Sequence, residues 1–176
     1  MALNQGRYTW RHDNVIKYIV DSIDKSKFTV HSDLSGYTTP NGGTIPTTLT
    51  VTTLIPDITV LSVEKKSFDI LELTVPFEDN IHARHKYKAD KYAHYTTDIS
   101  THKTAVTAFE VGARGYLTED NTKRLKEIYK LTMKKVSQKT FLQTCSALAI
   151  QGSFYIFTAH KEPTWSSPGF LSTPLK

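Results

Sequence analysis

Val15, Ile16, Ile19, Val20 and Ile23 recur at the intervals of one helical face and predict an amphipathic first helix from about Trp10 to Lys25, with Asp13 near its start as a cap. Phe28 to Asp33 alternates as a strand does. Pro40, Gly42, Gly43 and Pro46 mark a long surface loop from Gly36 to Pro46, ending near Leu49, a candidate lid or substrate arm. Two β-rich runs, Ile58 to Val63 and Phe68 to Val75, flank the polar Glu64, Lys65, Lys66 and Ser67, the pattern of a hairpin that Pro76 closes. Glu78 to about Ser100 reads as a long polar helix, and Ala105 to Val111 as a strand ended by Gly112 and Gly115. The order is α-β-β-β-α-β followed by a helical carboxyl region, which predicts an α/β or α+β fold.

With 176 residues, the chain matches a prior of roughly 150 residues per domain and leaves little for a second unit. Hydrophobic residues at 39% supply a core and exclude a disordered or collagen-like chain. The lone Cys145 excludes an internal disulfide framework and a zinc site needing several thiolates, and suits a reducing, intracellular compartment. Ala147 to Ala159 is interrupted by Gln151, Gly152 and Ser153 and falls short of the roughly 18 residues of a membrane span. Asn4, Gln5 and Arg7 stand where a signal peptide needs an apolar core.

The formal charge of +5 makes an anionic partner plausible, and its location narrows the choice. Between Glu119 and Lys139 lie seven basic and three acidic residues. Leu125, Ile128, Tyr129, Thr132 and Val136 recur at helical spacing, while Lys123, Lys126, Lys130 and Lys134 form a second stripe. That stripe is either a solvated face or a rail of ammonium groups against a phosphate backbone.

Candidate chemistry gathers at the hairpin. Asp57 follows Pro56 at the mouth of one strand and Glu72 lies within the next, fourteen residues intervening, so the two carboxylates can face each other across an antiparallel ladder. Alternation puts Ile70, Glu72 and Thr74 on one face and Leu71, Leu73 and Val75 on the other. A carboxylate among such neighbours needs a cation, either a lysine in a structural ion pair or a magnesium ion held by oxygens. Lys88 and Lys91, three apart, share a helical face and can project toward the carboxylates.

The ordered set of Arg7 to Asp13, Pro56-Asp57, Leu71 to Glu78, Lys88, Lys91-Tyr92 and Glu110 to Gly115 resembles the restriction-endonuclease-like domain at the carboxyl end of non-long-terminal-repeat (LINE-type) retrotransposon reverse transcriptase polyproteins. The resemblance runs from Gly6 to about Pro163. It implies a PD-(D/E)XK nuclease core over residues 1–160, with a mixed central sheet flanked by helices, and a tail over 161–176. Asp57 and Glu72 would then ligate Mg²⁺ (or Mn²⁺) with the backbone carbonyl of Leu73. Thr74 stands where the common pattern places its lysine, so the catalytic lysine is expected on the next helix, with Lys91 preferred over Lys88. Arg11, His12 and Arg114 become accessory or DNA-contact residues beside Lys123, Lys126, Lys130 and Lys134.

The implied reaction is attack of a metal-activated water on a phosphodiester of double-stranded DNA, leaving a 3′ hydroxyl that primes reverse transcription. The implied setting is the nucleus, or the cytoplasm before nuclear entry, with the rest of a polyprotein and its RNA as partners and no membrane. Met1 stands about where a preceding zinc knuckle would end. The chain is therefore expected to be part of a larger reading frame, a truncated element copy or its last domain alone. The competing reading is a non-catalytic DNA-binding relic, against which the retention of Asp57, Glu72 and both lysines weighs. His82, His85 and His94 are expected at the surface and Cys145 in the core, while an ion pair or a turn holding Gly112 and Gly115 would also explain Glu110 and Arg114.

Overall fold

A computed structural model describes residues 6–34, 55–62, 64–93, 102–162 and 164–172. The expected loop of Gly36 to Pro46, and His94, lie outside them. Helix α1 spans Arg7–Ser22 and strand β1 Thr29–Ser32. The hairpin comprises β2, Ile58–Ser62, and β3, Ser67–Thr74. A 3₁₀ turn at Glu78–Asn80 leads into α2, Ile81–Tyr92, followed by β4, Lys103–Glu110, α3, Glu119–Tyr129, and α4, Gln138–Thr158.

The sheet runs β1-β2-β3-β4, antiparallel between the first three strands and parallel between β3 and β4. Parallel neighbours need a crossover, and α2 lies on the one that joins them. Helices cover both faces, because the strands carry apolar residues on both. Leu71, Leu73 and Val75 of the β3 segment join Val15, Ile16, Ile19, Leu125, Phe141 and Leu148 in the main core. Phe68 and Ile70 point the other way and meet Tyr92 of α2. The result is a mixed α/β molecule with α1, α3 and α4 on one side and α2 on the other.

Several expectations need correction. Helix α1 begins three residues before Trp10 because Gly6, at φ 77°, takes the left-handed conformation that starts it. Asp13 therefore sits inside the helix, not at its cap. The polar helix is shorter than expected, since Glu78 to Asn80 form a 3₁₀ turn and α2 itself ends at Tyr92. The basic stripe is also broken: α3 stops at Tyr129, Lys130 is its C-cap, and Lys134 lies beyond it at φ 54°. Thr132 pairs instead with Ile23 in an isolated bridge, and the Met133 amide donates to Ser22, so tertiary pairing replaces the next helical turn.

The segment after α4 folds back along α1. Arg7 donates to the carbonyls of Ala159 and Glu162, the Trp10 indole donates to Pro168, and the Leu171 amide donates to Asn14 Oδ1. These contacts explain why the polar Arg7 and Asn14 are buried beside the apolar stripe of α1. Cys145 is fully buried, which pushes its thiol pKa upward and marks it as a core residue. Among the described residues, no helix is long and apolar enough to cross a membrane.

Candidate active site

The hairpin register sets the site. Ile58 pairs with Leu71, so the next position outward places Asp57 against Glu72, where β2 has ended and β3 continues. Glu72 belongs to the face that meets α2, the only face from which Lys88 can reach it. The Asp57 amide donates to Glu72 Oε1 at 3.0 Å, and the Leu73 amide donates to Asp57 Oδ2 at 2.8 Å. In an extended strand the amide and carbonyl of one residue face the same neighbour, so the Leu73 carbonyl also looks toward Asp57.

Lys88 Nζ lies 2.6 Å from Glu72 Oε2 and 3.5 Å from Asp57 Oδ2, bridging the carboxylates. Lys91 goes elsewhere, donating to the Tyr92 hydroxyl at 3.1 Å, and that hydroxyl donates to the Ile55 carbonyl. The structure thus brings Lys88, and not the preferred Lys91, to the carboxylates. Both lie on one side of α2, but the crossing of the helix over β3 aims only Lys88 at the carboxylates.

His12 closes the site from the other side of the sheet. Its Nε2 is 3.2 Å from Asp57 Oδ2 and its Nδ1 3.0 Å from Asp13 Oδ1. Burial disfavours the charged ring, but hydrogen bonds to Asp13 and Asp57 and their negative charges outweigh it, raising the pKa from 6.5 to about 9. At neutral pH the imidazolium therefore donates from both nitrogens. Burial would raise the Asp57 pKa, yet His12, Lys88 and the Leu73 amide bring it below its ordinary value. Glu72 moves the opposite way: its burial and the neighbouring Asp57 charge raise its pKa despite Lys88. Lys88 is desolvated as well, but the two carboxylates hold its pKa above normal.

A cleft of about 620 Å³ opens over this constellation, lined by α1, the β3 end and α2. Asp57 and Lys88 line the cleft, and Asp57 keeps 18% of its side chain exposed, whereas Glu72 is fully buried behind them. Asp57 Oδ1 has no hydrogen-bond partner among the described residues, so a hard acceptor remains for a ligand. No cluster of three or more His, Cys, Asp or Glu able to hold a metal occurs among the described residues. The available donors are two carboxylates and a backbone carbonyl, all oxygen. Such a set fits Mg²⁺ or Mn²⁺, which complete their coordination with water, better than a metal needing a full protein cage.

The remaining expected residues lie apart from the carboxylates or serve the scaffold. Arg11 lines the cleft but is 95% buried, donating to the Val75 carbonyl and the Ser153 hydroxyl. It fastens α1 to β3 and α4. Arg114 forks onto Glu78 through its amide and Nε, at 2.8 Å each, so its ion-pair partner is Glu78 and not Glu110. Glu110 instead accepts from His85 of α2, tying that helix to β4. Lys123 and Lys130 form exposed ion pairs with Glu119 and Glu127 on their own helix, and none of Lys123, Lys126, Lys130 and Lys134 lines the cleft.

Two contributors escaped the sequence reading. Asp13 orients His12, which its position beside the ring signalled, but the helix-cap expectation hid that role. Arg84 lines the cleft one turn before Lys88, and the spacing of four was the available signal. Against protein-family models and curated protein sequences alike, the chain gives no match.

Proposed function

We propose that this chain is a divalent-metal-dependent DNA endonuclease domain of the restriction-endonuclease-like kind, nicking DNA to leave a 3′ hydroxyl. The observation carrying this reading is the convergence of Asp57, Glu72 and Lys88, with Asp57 and Lys88 lining the cleft, Glu72 buried behind them and the lysine arriving from the next helix. Asp57, Glu72 and the Leu73 carbonyl would hold Mg²⁺ or Mn²⁺. When bound, such an ion lowers the pKa of coordinated water and neutralises charge on a phosphate. Lys88, which bridges the two carboxylates and lines the cleft, would supply a positive charge to negative charge developing on the scissile phosphodiester. His12 fixes the Asp57 carboxylate and keeps it ionised, with Asp13 orienting the ring. By resemblance, the substrate is double-stranded DNA, the setting nuclear, and the partners a reverse transcriptase polyprotein and its RNA.

A second reading has its own observation in favour. Lys88 and His12 already compensate the two carboxylates, as they would in an inert relic that keeps the fold and binds DNA without cutting it. Supercoiled plasmid incubated with Mg²⁺ or with EDTA separates the two. The nuclease reading expects open circles only with Mg²⁺, and none from Asp57→Asn or Glu72→Gln, which preserve shape. Circular dichroism of both variants matching the parent excludes misfolding as the cause. Intact plasmid with the parent protein favours the relic, and nicking unchanged in the variants refutes the metal site.

A further inference from the structure

The chain has five arginines, and four are engaged within the protein. Arg7 donates to two carbonyls, Arg11 to Val75 and Ser153, Arg114 to Glu78, and Arg124 to Asn121 and toward His85. Arg84 is the exception: among the described residues its guanidinium has no hydrogen bond or ion pair, and its side chain is exposed. It also lines the cleft above Asp57 and Lys88.

Arg84 and Lys88 are four residues apart on α2 and face the same cleft. Four residues of helix rise about 6 Å, close to the separation of successive phosphates along one nucleic-acid strand. A guanidinium presents a planar fork suited to two phosphate oxygens, whereas an ammonium acts as a point charge. His85 holds this helix to Glu110 at 3.1 Å, so the spacing is set by a fixed element and not by a loop.

We propose that Arg84 is a phosphate-contact residue that grips the phosphodiester next to the one at Lys88. The site then takes a strand carrying at least two consecutive phosphates, and a lone diester would engage only half of it. This inference rests on the nuclease reading above for the kind of ligand, but it concerns binding and not cleavage. A contact of this type positions the strand without reading bases.

The test is DNA binding followed by fluorescence anisotropy in EDTA, on the full chain, with short duplexes. Arg84→Gln should weaken binding to unrelated sequences equally and lower the slope of log K against log salt by about 0.9, the value for one lost phosphate contact. Arg84→Lys should recover the slope, since the charge returns. A neutral methylphosphonate walked along one strand should then weaken the parent at a position where Arg84→Gln shows no further loss. An unchanged salt slope in Arg84→Gln, or a methylphosphonate profile identical to the parent's, overturns the proposal while leaving the nuclease reading intact. Failure of the parent protein to bind DNA at all overturns both.

Discussion

At the residue scale, two side chains carry most of the account. Lys88 and Lys91 were both legible as residues of one helical face, but choosing between them required the angle at which α2 crosses β3. That placement is a matter of tertiary packing, in which Ile81 and Tyr92 are the buried residues of α2, and periodicity does not encode it. Lys88→Ala should therefore abolish nicking, while Lys91→Ala, whose ammonium rests on the Tyr92 hydroxyl, should retain most of it. Plasmid-nicking rates of the two variants check the order. The role of His12 is read through pH. Its folded pKa of about 9 exceeds the ordinary 6.5, so its contribution to stability is complete below pH 6.5 and is lost as pH rises through 9. Urea unfolding should show the parent losing stability over that window and His12→Gln losing markedly less. Equal slopes in the two proteins would remove the imidazolium from the site.

At the scale of elements, the parts that read most directly were those whose pattern agrees with their packing. The alternation on β3 sorted Leu71, Leu73 and Val75 from Ile70 and Glu72, and the structure gives each set its own helical layer. The hairpin register followed from the short polar turn, which aligned Asp57 with Glu72. The basic region misled because Thr132 and Val136 continue a helical rhythm after the helix has stopped. Pairing of Thr132 with Ile23 and the left-handed Lys134 end it, and neither is local information. The close approach of α1 and α4 was equally hidden. A Cβ on Gly152 would stand 2.6 Å from Arg11 Cγ and 3.2 Å from Arg11 Cβ, so this glycine is what lets the helices meet. Gly152→Ala should lower stability by about 1–3 kcal/mol despite the better helix propensity of alanine, as overpacking does, and urea unfolding measures it. A gain in stability would show that Arg11 can move aside.

At the scale of the whole molecule, the three-layer arrangement explains why α2 is both part of the site and dependent on it. Only Ile81 and Tyr92 of this helix are buried, and a buried large apolar side chain contributes about 1.5–3 kcal/mol, so polar ties to Glu72 and Glu110 supplement a small apolar contact. The opposite layer is far better anchored, with α1 and α4 sharing the main core. Binding of a cation at Asp57 and Glu72 would thus act on the less strongly packed helix, which carries both Lys88 and Arg84. In the proposed function these carboxylates form a divalent-ion site and not a finished ion-pair network. Mn²⁺ titrated into the protein and followed by electron paramagnetic resonance tests it most directly. One Mn²⁺ bound per chain, lost in Asp57→Asn and in Glu72→Gln, is the predicted result; no binding, or binding that both variants retain, would contradict it.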